Sequence, residues 1–211
     1  MILNIILIIN FWINSIIMNT NNTSNNTDNT SINASNNTEN PSINESNNQQ
    51  KQIKEAYFAG GCFWGVEFMM NKITGVIDVE SGYMGGTKEN PTYEQVCADN
   101  TGHAEVVKVT YDPEKCSYLN LCRMFFEIHD PTQEDGQGPD IGSQYRSEIF
   151  YVDEYQKDIA EKVIQILKDK GYDVVTKVTK ASTFWKAEDY HQKYYERKGT
   201  RPYCHAYTKR F

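Results

Sequence analysis

From Glu55 onward, short apolar runs alternate with amphipathic stretches, and the period of each run predicts its element. Residues 56–59 read as a buried strand ending at Gly60-Gly61, and residues 63–71 as a helix opening just after Cys62. Strands are expected at 76–83 and 104–111; in the second, Val107 and Val109 alternate with Lys108 and Thr110. Gly85-Gly86 and Asp112-Pro113 supply the turns that follow. Ser117 can cap a helix whose Leu119, Cys122, Phe125 and Phe126 share one face, with Asp130-Pro131 as its stop. A glycine-rich loop is expected at 133–142, a strand at 144–152 and a helix at 153–170. That helix turns Ala160, Val163, Ile164 and Leu167 inward and ends at Gly171. A strand at 172–179 and a final helix near 187–198 complete the pattern, with no internal repeat. The sum predicts one two-layer α+β domain over residues 55–211, with a mixed or antiparallel sheet and helices packed against it. A domain of this size buries about two-thirds of its chain surface and needs no metal or disulfide to stay folded.

The amino-terminal part follows another rule. Residues 1–18 are apolar at 14 positions and no Lys or Arg precedes Lys51. The run is shorter than the roughly 20 residues of a spanning helix and fits the hydrophobic part of a signal peptide. An uncleaved anchor and a start at Met18 are the alternatives. Residues 19–54 are expected to form a disordered tether, because 13 Asn, five Thr and five Ser between 19 and 50 leave little to bury against the entropy of ordering. Seven Asn-x-Ser/Thr sequons, beginning at Asn21, Asn22, Asn25, Asn29, Asn33, Asn36 and Asn44, would be glycosylated in the secretory pathway, although such a composition also generates sequons by itself. The location expected is secretory or extracellular, with the cytoplasm as the alternative.

Charge narrows the partners. Residues 51–211 hold 25 acids against 21 bases, and the whole chain carries −7, so the basic footprint that holds a phosphate backbone is missing and nucleic acid is not an expected partner. The five cysteines, at 62, 97, 116, 122 and 204, form no C-x-x-C pair and have no zinc spacing. Cys97 and Cys122 are expected to be packing thiols and Cys116 to lie near a strand-to-helix turn, open to exposure. Cys62 is different: it follows a strand and two glycines and opens a helix, where unpaired N–H groups and the helix dipole favour a thiolate. Phe63 and Trp64 adjoin it and can wall an apolar pocket.

The segment Gly61-Cys62-Phe63-Trp64-Gly65-Val66-Glu67 resembles the nucleophile motif of the type A peptide methionine sulfoxide reductases. Further blocks agree in order and spacing: Gly82-Tyr83 with Gly85-Gly86; Asn90-Pro91-Thr92-Tyr93-Glu94-Gln95-Val96-Cys97; Thr101-Gly102-His103-Ala104-Glu105-Val106; and His129-Asp130-Pro131-Thr132 leading to the run from Gln137 through Asp140 and Tyr145 to Ser147. The resemblance covers about residues 56–205. It implies reduction of methionine-S-sulfoxide, in proteins and as the free amino acid, by a monomer with no bound cofactor or metal. In it Cys62 is the nucleophile, Glu105 the acid, and Tyr93 and Tyr145 the phenols that hydrogen-bond the sulfoxide oxygen. Phe63 and Trp64 form the S-methyl pocket and Asp140 is a further substrate contact. These residue types suit the reaction, which needs a thiolate, an acid and donors around a departing oxygen.

Attack by Cys62 leaves a sulfenic acid that a second thiol must trap before further oxidation. Cys204, in Pro202-Tyr203-Cys204-His205, resembles the family's carboxy-terminal resolving cysteine, and a tail able to move would ease its approach. The resulting Cys62–Cys204 disulfide would be reduced by thioredoxin or a similar dithiol. Two other readings make different demands. A cysteine hydrolase needs an imidazole beside Cys62, with His103 or His129 as base, although both suit structural hydrogen bonding better. A binding module would tolerate an eroded site, yet Cys62, Glu105, Tyr93, Tyr145 and Cys204 are all present.

Overall fold

The computed structural model describes residues 52–211. The signal-like segment at 1–18 and the tether up to Lys51 lie outside the described residues. The first elements are β1 (Lys54–Gly60), α1 (Phe63–Met70), β2 (Val76–Met84), α2 (Tyr93–Cys97), β3 (Ala104–Tyr111) and α3 (Tyr118–Ile128). They are followed by β4 (Gly136–Gln137), β5 (Asp140–Ile141), a 3-10 turn at Ser143–Tyr145, β6 (Ser147–Tyr151) and α4 (Glu154–Asp169). The chain ends in β7 (Lys177–Lys180), β8 (Trp185–Lys186) and α5 (Tyr194–Lys198). Six strands form one mixed sheet in the order β7-β6-β1-β3-β2-β8, with β6 and β7 parallel and every other neighbour antiparallel.

β1 is paired on both edges and covered on both faces, which is why residues 56–59 form an unbroken apolar run. Ala56 and Phe58 join Val107, Val109 and Ile149 in the main core with α3 and α4, while Tyr57 and Ala59 meet Met84, Ala104, Val106 and Phe150 in a smaller cluster on the other face. Each long helix begins at a side-chain cap: Ser117 Oγ accepts from the Asn120 N–H and Asp153 Oδ1 from the Gln156 N–H. Ala160, Val163, Ile164 and Leu167 of α4 are buried, and so are Leu121, Cys122, Phe125 and Phe126 of α3. Leu119 turns outward instead, 37% exposed, because the buried stripe of α3 follows Tyr118, Leu121, Cys122, Phe125 and Ile128.

Other elements also differ from the sequence pattern. The glycine-rich loop contains the β4–β5 ladder, and the expected strand at 144–152 opens in the 3-10 turn before β6. Within 172–179 only the last residues join the sheet; upstream, the Val175 N–H donates to the Pro131 carbonyl. The final helix shrinks to α5. Lys193 adopts a left-handed φ of 51°, ending any helix from Ala187, and its N–H donates to Glu67 Oε2 at 2.8 Å. Just before it, the Gln192 side chain accepts the Ser81 N–H at 2.9 Å and donates to the Ser81 carbonyl, pairing with β2 as a strand would.

Candidate active site

The site forms where β1 ends beneath the start of α1. Gly61 turns the chain there at φ +93°, and a β-carbon would fall 2.5 Å from Gln137 Cβ. Cys62 is the N-cap residue of α1 and is partly exposed. Antiparallel register places Glu105 of β3 opposite Tyr83 of β2, on the sheet face that α1 covers. Glu105 is 2% exposed, and its Oε2 accepts the Phe63 N–H at 2.9 Å. Desolvation pushes its carboxyl up to about 8, against the pull of that N–H. A carboxyl so placed holds its proton at neutral pH and can donate it.

The aromatic wall is tied together by residues that sequence reasoning missed. Trp64 donates its indole N–H to His191 Nδ1 at 3.0 Å and stacks on Tyr194 with ring centres 3.8 Å apart. Phe63 packs against Tyr83 and His191. Glu188 accepts the Tyr83 hydroxyl and the Tyr93 N–H, each at 2.9 Å, so that the start of α2 is fixed beside the pocket. Tyr93 and Tyr145 are half-buried, and burial first, then the Cys97 hydrogen bond for Tyr93 and the nearby Glu105 for both, holds the phenols protonated. They are therefore donors throughout the physiological range. No sequence signal singled out Glu188 or His191, which reach the site only through tertiary packing.

Cys204 lies beside Cys62: the two sulfurs and a carboxylate oxygen of Asp140 are all within 4.8 Å of one another. This is the one metal-capable cluster among the described residues, and any soft ion seated there would occupy both thiols. The hydrogen bond between the thiols, assisted by His205 and opposed by burial, holds Cys204 well below the ordinary thiol range. The same bond, followed by burial and Glu105, pushes Cys62 up, outweighing the Trp64 N–H. The helix terminus thus acts on Cys62 in the expected direction, but in the reduced pair it is not the stronger influence.

The segment bearing Cys204 is also fastened rather than loose. His205 is buried and bonded to the Gly60 carbonyl, the Thr208 N–H donates to the Glu127 carbonyl at 2.6 Å, and Arg210 Nη1 donates to the Phe126 carbonyl. A long tail movement is not needed to bring the sulfurs together.

The other candidates separate by environment. His103 bonds to the Gly86 N–H and the Lys88 carbonyl, and His129 to the Phe125 carbonyl and Ser147 Oγ. Both ring nitrogens of each are engaged away from Cys62, and burial lowers His129 to about 3, so neither is poised as a base for the nucleophile. Cys122 is buried, as expected of a packing thiol, but Cys97 is exposed beside Tyr93 and Cys116 is buried. Cys97 ends a five-residue helix of which only Val96 is buried, whereas Cys116 is shut in under the start of α3.

Comparison with known proteins agrees with this geometry. The family model described as "Peptide methionine sulfoxide reductase" matches residues 54–211. The peptide methionine sulfoxide reductase MsrA of Acinetobacter baumannii is 51% identical over 152 residues, 72% of this chain and 88% of the relative. That of Sulfolobus acidocaldarius is 50% identical over 150 residues, 71% and 85% of the two chains. Among solved structures, reduced Mxr1 from Saccharomyces cerevisiae superposes with a TM-score of 0.69 at 33% identity, covering 74% of this chain and 93% of that one. Methionine sulfoxide reductase A of Corynebacterium diphtheriae gives 0.64 at 32%, covering 72% and 77%.

Proposed function

The chain belongs to the peptide methionine sulfoxide reductase family and reduces methionine-S-sulfoxide to methionine with thiols; on that premise we propose how its residues divide the work. The observation that carries the assignment is the nucleophile position itself. Cys62 caps α1 with Glu105 bonded to the next residue's N–H and Cys204 within 4.8 Å.

Methionine sulfoxide enters with its S-methyl group against Phe63 and Trp64 and its oxygen toward Glu105, Tyr93 and Tyr145, with Asp140 as a further contact. Cys62 attacks the sulfoxide sulfur while its own proton passes along the hydrogen bond to Cys204. Glu105 protonates the oxygen as charge gathers there, and the two phenols donate to it. Collapse releases methionine and leaves the oxygen on Cys62 as a sulfenic acid. Cys204 then displaces that oxygen as water, forming a Cys62–Cys204 disulfide. Thioredoxin, or a comparable dithiol, reduces the disulfide and restores both thiols. Oxidised proteins and free methionine sulfoxide are the substrates.

The test is a single turnover. One equivalent of a methionine-S-sulfoxide peptide without reductant should yield one equivalent of methionine and a disulfide that peptide mapping places between Cys62 and Cys204. A disulfide to Cys97, or a stable sulfenic acid, would contradict the assignment of the resolver.

For the full chain, the apolar run at 1–18, as a signal peptide, and the sequon-rich tether at 19–54 support a route into the secretory pathway. An oxidising compartment would then call for a dithiol donor other than cytosolic thioredoxin. A native amino terminus beyond residue 18 and glycosidase-sensitive mass would support this route. An unprocessed, unglycosylated cytoplasmic protein would oppose it.

A further inference from the structure

We propose that His205 is the general base of the resolving step, taking the thiol proton of Cys204 as it attacks the Cys62 sulfenic acid. The proposal rests on the assignment of Cys204 as resolver.

Its basis is the fixed state of one imidazole. His205 is 5% exposed, with Nε2 2.7 Å from the Gly60 carbonyl and Nδ1 3.1 Å from Cys204 Sγ. A carbonyl oxygen can only accept, so Nε2 carries the hydrogen, and Nδ1 is the ring atom left to exchange a proton with the Cys204 sulfur. The ring is held where it is by what surrounds it. A β-carbon on Gly65 would run into the imidazole, and one on Gly61 would lie 3.3 Å from its Cε1. The glycines flanking the nucleophile therefore leave the space that His205 fills, and β1 supplies the carbonyl that sets its tautomer. Downstream, the Thr208 bond to α3 anchors the segment.

The step balances without an outside reagent. The Cys204 S–H bond breaks and its proton moves to His205 Nδ1. The thiolate forms the S–S bond as the Cys62 S–O bond breaks, and the departing hydroxyl takes back that proton from the His205 imidazolium to leave as water. Without a base, the Cys204 proton acquired when Cys62 attacked would have to leave to solvent from a half-buried site. The titratable groups facing the imidazole are Cys204 and Asp140 on the site side and His129 behind it.

The experiment separates the two chemical steps in the full-length protein. After mixing with one equivalent of methionine-S-sulfoxide peptide, methionine release and disulfide appearance are followed by rapid quench across pH 6–9. In His205→Gln, disulfide formation should slow about 100-fold relative to methionine release. It should then climb with pH toward the ordinary thiol pKa of about 8.5, where the wild type stays flat. Gly65→Ala, which displaces the imidazole, should show the same defect. Should these variants fold poorly, the wild-type disulfide step reports the same property with His205 in place: it should stay flat across pH 6–9, and a climb toward the ordinary thiol pKa of about 8.5 overturns the proposal. A wild-type disulfide rate and pH profile in His205→Gln, beside a Cys204→Ser that forms no disulfide, would overturn the proposal alone. A Cys204→Ser that still forms its disulfide would remove the resolver assignment and the proposal with it.

Discussion

Glu105 Oε2 accepts the N–H of Phe63, the residue directly after the nucleophile, at 2.9 Å. With one oxygen so engaged, the other is left to carry the proton, and burial keeps it there up to a pH of about 8. Wild-type turnover should therefore fall as pH rises through about 8, because the acid is lost. Glu105→Gln keeps the shape and an acceptor for Phe63 but cannot donate a proton as an acid. Its rate should drop by about 10²- to 10⁴-fold and lose that alkaline limb. Steady-state rates with dithiothreitol across pH check this, and an unchanged alkaline limb in the variant would remove Glu105 as the acid.

The same burial makes folding stability depend on pH. Between the ordinary 4.5 and about 8, the folded chain holds a proton on Glu105 that the unfolded chain has lost. Stability is therefore greatest below that window, falls across it and levels above it. Glu67, raised to about 7 mainly by burial, adds a contribution of the same sign. His129 acts oppositely: its folded value of about 3 lies below the ordinary 6.5, so the stability it contributes is complete above 6.5 and is lost as pH falls toward 3. Thermal unfolding against pH should show both slopes, and Glu105→Gln should flatten the decline between 5 and 8. A parallel decline in the variant would assign it elsewhere.

Trp64 is held by a hydrogen bond to His191 and by stacking on Tyr194. Truncation removes an apolar wall that grips the methyl group equally before and during reaction. Trp64→Ala should raise KM about 10-fold or more with a smaller change in kcat, an effect of about 1–3 kcal/mol on kcat/KM. A kcat loss with unchanged KM would place Trp64 in the chemistry instead.

Much of this site is legible in the sequence because its chemistry is local. Strand, two glycines, cysteine and helix follow one another along the chain, so the position of Cys62 can be read without contacts. The partners from other strands are legible only through their motifs. Nothing in the local pattern of β3 distinguishes Glu105 from a solvated strand carboxylate. Where side chains substitute for backbone pairing, periodicity misleads: Ala187, His191 and Tyr195 recur at helical spacing, yet Gln192 pairs with Ser81 and Lys193 turns left-handed. Glu188 and His191 carry no signal before folding. His205 did carry one, its adjacency to Cys204, which gained meaning only when the Gly60 carbonyl fixed its tautomer.

Cys97 is exposed and next to the Tyr93 hydroxyl, an accessible thiol outside the Cys62–Cys204 pair. Cys97→Ser leaves a hydroxyl to partner Tyr93 in place of the thiol and should keep thioredoxin-supported turnover within about 2-fold, as a conservative substitution on the surface does. Loss of that turnover with dithiothreitol activity intact would place Cys97 in the relay.

The central claim, that Cys62 attacks and Cys204 resolves, is tested most directly by one assay on the separated S and R epimers of a methionine sulfoxide peptide. Wild type, Cys62→Ser and Cys204→Ser are compared with dithiothreitol and then with thioredoxin. The expected result is reduction of the S epimer alone, abolished by Cys62→Ser and retained by Cys204→Ser with dithiothreitol but not with thioredoxin. Activity surviving in Cys62→Ser, or thioredoxin-driven turnover surviving in Cys204→Ser, would contradict it.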